Sequence, residues 1–138
     1  MKNLFDIPYS DFVLAILLMI LSLLVGQQDI DTIMGIIIFI ISIVLWFLAK
    51  RQLGKVFQVK VEAKTIIKKG LYSKFRHPIY LFSSLTYLGV LISFWNLYLI
   101  LPYIALVVFQ IVRARREENV FIHRFGNEYR EYMKKTLF

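Results

Sequence analysis

Four almost unbroken apolar runs dominate the chain, at residues 9–26, 33–50, 79–95 and 97–112. Each is about 15–20 residues long, at or just below the length that crosses the hydrocarbon core of a bilayer. Apolar side chains recur on every side of these segments rather than along one stripe, as expected of helices immersed in lipid. The pattern predicts an all-α polytopic membrane protein, a single membrane domain over residues 1–138 with four transmembrane helices arranged as two hairpins. Gln27-Gln28-Asp29-Ile30-Asp31-Thr32 joins the first pair and Trp95-Asn96 the second, both short enough for tight antiparallel turns. Pro102, inside the fourth run, predicts a kink. Residues 51–78 form a polar loop between the hairpins. In that loop Phe57-Gln58-Val59-Lys60-Val61-Glu62 alternates apolar and polar residues, predicting a short extended or interfacial piece. Past the fourth run the helix is expected to continue to about Phe125 and stop at Gly126. A second short helix follows from Asn127, so residues 113–138 form a cytoplasmic helical extension.

Composition agrees with the pattern: 59% of the 138 residues are hydrophobic and the mean hydropathy is +0.65, more than a soluble domain of this size usually carries. With no cysteine in the chain, disulfides, thiolate metal sites and cysteine nucleophiles are excluded. His77 and His123 stand far apart and outside metal-ligand spacing, so no metal is expected and His123 receives no role. After Met1-Lys2-Asn3 no small-residue cleavage site follows the first apolar run, which is therefore expected to remain as an anchor.

Charge then orients the bundle. The net charge is +8, which on its own would suit nucleic acid. Its distribution argues otherwise. Nine basic residues and one acidic residue, Glu62, lie between Lys50 and Arg76; seven more basic residues follow from Arg113, and Lys2 completes the seventeen. Neither hairpin turn contains Lys or Arg. In a four-span topology every positive charge falls on one face, and the positive-inside rule places that face, with both termini, in the cytoplasm. The partner implied is the lipid bilayer, and nucleic acid is not expected. The brevity of the chain fits a bacterial cytoplasmic membrane.

Two stretches carry candidate chemistry. The first is Lys68-Lys69-Gly70-Leu71-Tyr72-Ser73-Lys74-Phe75-Arg76-His77-Pro78-Ile79-Tyr80. Pro78 suits the first turn of a helix, where its missing N–H would be unpaired anyway. That places Arg76 and His77 at the helix mouth and Tyr80 one turn inside. A helix start beside an arginine is a natural seat for a carboxylate or phosphate. The second stretch holds Glu117-Glu118, less than two turns past the last apolar residue of the fourth run. Read alone, this pair serves as i,i+4 partners for Arg113 and its neighbours. Read with the topology, the start of the third span and the end of the fourth must be close, so Arg76, His77, Tyr80, Glu117 and Glu118 are expected to converge at one membrane boundary.

Together Gly70-Leu71-Tyr72, Arg76-His77-Pro78-Ile79-Tyr80, Glu117-Glu118 and Phe125-Gly126-Asn127-Glu128-Tyr129-Arg130-Glu131-Tyr132 resemble the integral-membrane methyltransferases. That group includes isoprenylcysteine carboxyl methyltransferases and phospholipid N-methyltransferases. Arg51-Gln52-Leu53-Gly54 also resembles the family's entry into the central loop, and the likeness covers roughly residues 50–132. The resemblance implies methyl transfer from S-adenosylmethionine to a lipophilic small-molecule or prenylated acceptor, most like the carboxyl O-methyl type. Glu118, supported by Glu117, would pair with the cofactor's ammonium. Arg76, or the N–H groups at the Pro78 helix start, would take its carboxylate, and His77 and Tyr80 its nucleoside. Tyr129, Tyr132 and Lys135 are the catalytic candidates on the acceptor side. One departure stands out: where the carboxyl methyltransferases continue with Arg and Pro, this chain reads Met133-Lys134-Lys135-Thr136-Leu137-Phe138. Lys135 keeps the charge but lacks the planar fork that grips a carboxylate bidentately.

Two alternatives remain in view. Within the enzyme class the rival is amine methylation of a phospholipid or another small amphiphile. Outside it stand a non-enzymatic membrane subunit and a small transporter; the latter would need an ionisable residue within a span, and the four runs hold only Asp11 and Lys50, both at an edge.

Overall fold

In a computed structural model, which describes residues 9–25, 29–59 and 66–138, the chain is all-helical, with one isolated parallel bridge between Phe75 and Leu137. Helix α1 spans Tyr9–Val25, α2 Ile30–Val59, α3 Pro78–Phe94, α4 Ile100–Phe125 and α5 Asn127–Lys135. Short 3-10 turns at Gly70–Ser73 and Leu97–Leu99 precede α3 and α4.

Local chemistry sets these boundaries. Pro78 occupies the first turn of α3 behind His77, as its fixed φ favours. The other end of α3 closes on Trp95 in the left-handed region (φ 40°), whose N–H reaches the carbonyls of Leu91 and Ile92. Asn96 Oδ1 then accepts the N–H of Tyr98 at 3.0 Å and starts the next turn. Gly126 ends α4 with φ +56°, a conformation that disfavours any side chain, and donates its N–H to Ile122 at 2.9 Å.

Two expectations change. The second apolar helix runs far past Ala49, through Lys50, Arg51 and Lys55 to Val59, because a helix satisfies its own backbone bonds whether its side chains meet lipid or water. Phe57–Val59 is therefore helical rather than extended, and Lys60-Val61-Glu62 lies outside the described residues. Pro102 makes no kink: α4 starts at Ile100, so the missing N–H falls among the donors of the first turn, which lack helical acceptors. Among the described residues, two helices are long and apolar enough to cross a membrane, Ile30–Gly54 and Leu97–Phe125, while Phe12–Val25 and Pro78–Phe94 are shorter apolar helices.

Helices α1 and α3 run parallel to each other, and both pack antiparallel to α2. One layer joins Phe12, Trp46, Ala49, Ile79 and Phe82; the next joins Ala15, Met19, Phe39 and Val90. Where α2 crosses α3 the backbones touch: a Cβ on Gly35 would lie 2.5 Å from the Gly89 carbonyl oxygen, and one on Gly89 2.7 Å from that of Gly35. Helix α4 is different. Among its described side chains only Ala114, Glu117 and Glu118 are buried, and Ile104, Val108, Phe109, Ile111 and Val112 point outward. Its side-chain links to α3 are polar: Gln110 with Ser83 and Ser84, Glu117 with Tyr80, and Glu118 with Arg76 just ahead of that helix. Apolar surface gives little drive for association in lipid, so such bonds are what would hold α4 there.

Candidate functional site

The start of α3 and the last turns of α4 meet at the end of the bundle that also carries the C-terminal part of α2. The short turn between Gly70 and Ser73 is tied to α2 through Leu71 N–H donating to Gln52 Oε1 at 3.0 Å. Residues 136–138 then strap the loop ahead of α3. Leu137 N–H donates to Lys74 O at 2.7 Å, and Arg76 N–H donates to the carbonyls of Leu137 and Phe138 at 2.8 and 2.9 Å. His77 N–H donates to Phe138 O at 3.2 Å. The main-chain N–H groups of Arg76 and His77 are thus already bonded.

Inside this frame sits a buried charged cluster. Glu117 and Glu118 are 4% and 7% exposed and His77 6%. Arg76 Nη1 donates to Glu118 Oε1 at 2.8 Å. The Tyr80 hydroxyl donates to Glu117 Oε1 in a short bond. His77 lies between the two carboxylates, Nδ1 3.7 Å from Glu117 Oε2 and Nε2 3.5 Å from Glu118 Oε1. Arg113 adds a second guanidinium, its Nε 3.7 Å from Glu117 Oε1 and its centre 5.6 Å above the Tyr80 ring. Two carboxylates and two guanidiniums balance in charge, which makes burial tolerable.

An aromatic wall completes the site. Tyr129 and Tyr132 on α5 are buried, with Tyr129 stacked on Phe121 at 5.3 Å and 5.8 Å from Tyr132. The Tyr132 hydroxyl donates to the Tyr72 carbonyl at 2.6 Å and so pins α5 on the turn before α3. Burial pushes the Tyr132 phenol up to about 12, partly offset by Arg76. It drives Tyr72 and Tyr129 well above the usual tyrosine range, so all three remain neutral donors. Burial likewise lowers the proton affinity of His77 against the opposing pull of Glu118. Burial raises Glu117, which lies on α4 beyond its apolar part, while Tyr80 and Arg113 act in the other direction.

Arg76, His77, Pro78, Tyr80, Glu117, Glu118, Tyr129 and Tyr132 therefore come together. Lys135 does not: it is exposed on the last turn of α5, and no contact found among the described residues ties it to the cluster. Sequence reasoning read Arg113 only as an i,i+4 partner of Glu117. That pair is present, but the position of Arg113 over Tyr80 was missed.

Within this cluster two buried nitrogens, Arg76 Nε and His77 Nε2, lack a hydrogen-bond partner among the described residues. At 3.5 Å the approach of His77 Nε2 to Glu118 is at the outer limit of hydrogen-bonding distance. Buried polar atoms are seldom left unsatisfied. Unsatisfied nitrogens on both sides of a buried carboxylate are the arrangement expected where a zwitterionic ligand with donors and acceptors belongs.

An apolar helical bundle with a polar, aromatic-walled site at its end defines the class of protein, and comparison with known proteins makes it particular. The phospholipid methyltransferase family pattern matches residues 30–128, and the chain belongs to that family. It is also similar to human protein-S-isoprenylcysteine O-methyltransferase, 36% identical over 79 residues. That match covers 56% of this chain and 28% of the human protein. No solved structure matches.

Proposed function

We propose that this protein is an integral-membrane methyltransferase with four spans, both ends of the sequence lying on the cytoplasmic side. It would use S-adenosylmethionine to methylate a lipophilic acceptor at that membrane face. The observation that carries the reading is the part-buried Arg76–Glu118 pair with the unsatisfied His77 Nε2 and Arg76 Nε beside it. Family membership and the human relative support the same class of chemistry.

The residues present fit the cofactor. Glu118 would hold the ammonium and Arg76, through its unsatisfied Nε, the carboxylate. Tyr72, Tyr129 and Phe121 offer flat faces for the nucleoside, and His77 Nε2 a polar contact. Bound there, S-adenosylmethionine supplies a methyl carbon activated by its sulfonium. The protein's part is then positioning and exclusion of water. Tyr80 fixes Glu117, the Tyr132–Tyr72 bond fixes α5, and the strap from Thr136 to Phe138 fixes the loop that carries Arg76 and His77.

A carboxylate acceptor, the favoured type, arrives ionised and needs no base. One observation favours the second reading, an amine acceptor: His77 is held neutral by burial, so it could take the proton that an amine must lose. The products separate the two, since a carboxyl methyl ester releases methanol in base and an N-methyl group does not. Calorimetric titration of S-adenosylmethionine into the purified protein, wild type beside Glu118→Ala, tests the cofactor reading. Binding that collapses in the variant is expected. A folded wild type that fails to bind in detergent and in lipid overturns it.

A further inference from the structure

Helix α2 leaves its apolar part with one face still committed to the bundle. Trp46 and Ala49 are buried with Phe12, Ile79 and Phe82, and Leu53 packs on the same cluster one turn later. Gln52 follows Ala49 by three residues and so lies beside that stripe rather than opposite it. Nearer the start of α2, Gly35 meets Gly89 of α3 backbone to backbone. Gln52 is therefore carried by a helix whose position against α3 is fixed at two levels, and its side chain reaches the loop ahead of α3.

That loop is shaped to receive it. Gly70 opens the 3-10 turn with φ +64°, a left-handed conformation that disfavours a side chain. A Cβ there would also lie 2.5 Å from Gln52 Oε1, so only glycine fits against the amide. The next N–H, that of Leu71, donates to the same oxygen at 3.0 Å. The Leu71 carbonyl in turn accepts the N–H groups of Lys74 and Phe75 at 3.2 and 3.0 Å, while the Leu71 and Phe75 side chains pack on the cluster that holds Trp46 and Ala49. Arg76 and His77 come directly after, and they bear the two unsatisfied nitrogens of the buried cluster. One end of a hydrogen-bonded turn is thus set by Gln52, and the other end carries the side chains assigned to the cofactor.

We propose that Gln52 is a positioning residue: its amide oxygen latches the turn from Gly70 to Phe75 onto α2 and so holds Arg76 and His77 in the geometry that binds the cofactor. The effect on S-adenosylmethionine rests on the methyltransferase reading; the latch stands apart from it. What the latch requires is an acceptor at this reach. A carboxylate at position 52 supplies one, a carboxamide one methylene shorter does not reach, and an aliphatic side chain leaves the Leu71 N–H without its partner.

The test uses the full chain in lipid nanodiscs and reads three quantities on the same samples: S-adenosylmethionine affinity by calorimetry, Tm, and amide hydrogen exchange across residues 66–77. Gln52→Leu is expected to weaken cofactor affinity about fivefold, as for the loss of one hydrogen bond. It should also speed exchange in that segment, the signature of a local opening. Gln52→Asn should behave alike. Gln52→Glu should bring both quantities back to within about twofold of wild type, because a carboxylate oxygen accepts the same N–H. Arg51→Gln, at the exposed neighbouring position, should change neither. A merely structural role would lower Tm and leave the affinity of the folded protein intact. That outcome overturns the proposal, and so does a Gln52→Glu variant that recovers nothing of what Gln52→Leu loses. If Gln52→Leu does not fold, Gln52→Asn gives the same decision. Failure of the wild type to bind S-adenosylmethionine would overturn the cofactor reading instead. Exchange then decides the latch by itself, and an unchanged rate in Gln52→Leu overturns it.

Discussion

The hydroxyl of Tyr80 donates to the carboxylate of Glu117, joining the first turn of α3 to the last apolar-flanked turn of α4. Tyr80→Phe preserves the ring beneath Arg113 but removes a donor from a buried carboxylate. It should lower stability by about 1–3 kcal/mol, read as a fall in Tm in detergent. S-adenosylmethionine affinity should fall with it, because Glu117 and Glu118 are adjacent on one helix.

Arg76→Ala leaves Glu118 buried without its guanidinium. Loss of one member of a buried pair costs about 3–5 kcal/mol, and the partial exposure of Arg76 places this variant toward the lower part of that range. Arg76→Lys keeps the charge but not the fork; it should retain most of the stability and lose cofactor affinity. Thermal melts beside calorimetry on both variants separate the two effects.

His77 gives the stability a pH dependence with a definite sign. Burial lowers its proton affinity in the folded state below the ordinary value of 6.5. The unfolded chain therefore takes up a proton first, as pH falls below 6.5. Stability from this group is fully present above that pH and is lost as pH drops through the lowered folded value, by at most about 1.4 kcal/mol per pH unit. Tm measured between pH 8 and pH 5 should decline across the lower half of that range. His77→Gln should remove that part of the slope. An unchanged slope would assign it to other groups.

Gly89→Ala would place a methyl group 2.7 Å from the Gly35 carbonyl oxygen and 2.8 Å from the Phe39 nitrogen. Both neighbours are backbone, so α2 and α3 must move apart. The expected cost is about 1–3 kcal/mol, visible as a lower Tm. Gly54→Ala, where an added Cβ meets nothing within 4 Å, is the matched control and should be neutral or mildly stabilising.

Leu137→Pro removes the N–H that donates to Lys74 O. The strap should loosen while the α1–α3 core stays intact. Cofactor affinity is expected to drop severalfold with little change in Tm, a separation that calorimetry and thermal melts would display together.

The convergence of Arg76, His77 and Tyr80 with Glu117 and Glu118 was legible in the sequence. Pro78 marks one helix start, a two-residue turn makes α3 and α4 a hairpin, and Glu117-Glu118 sits the right number of turns beyond it. The end of α4 was legible from Gly126. What the sequence hid lay where local signals compete. Lys50, Arg51 and Lys55 read as a loop although α2 continues through them. Pro102 read as a kink because the true helix start depends on the turn that Asn96 caps, four residues before Ile100. Lys135 was expected at the site because the resemblance gives the residues after the second tyrosine a basic group on the acceptor side, but its side chain is exposed at the last turn of α5. Arg113 was concealed within the basic run Arg113-Ala114-Arg115-Arg116. Its spacing of three from Gln110 and four from Glu117 is the signal that singles it out.

The attachment of α4 by polar rungs rather than by an apolar core has a consequence for what the sequence is free to change. Gln110, Glu117 and Glu118 act as the teeth of a rack whose counterpart is Ser83, Ser84, Tyr80 and Arg76, spaced by successive turns of about 5.4 Å. A slip of one residue in either direction would disengage every tooth at once. The outward aliphatic positions of α4 carry no register information, so Ile104, Val108 and Ile111 can be exchanged among Leu, Ile and Val without disturbing the buried cluster.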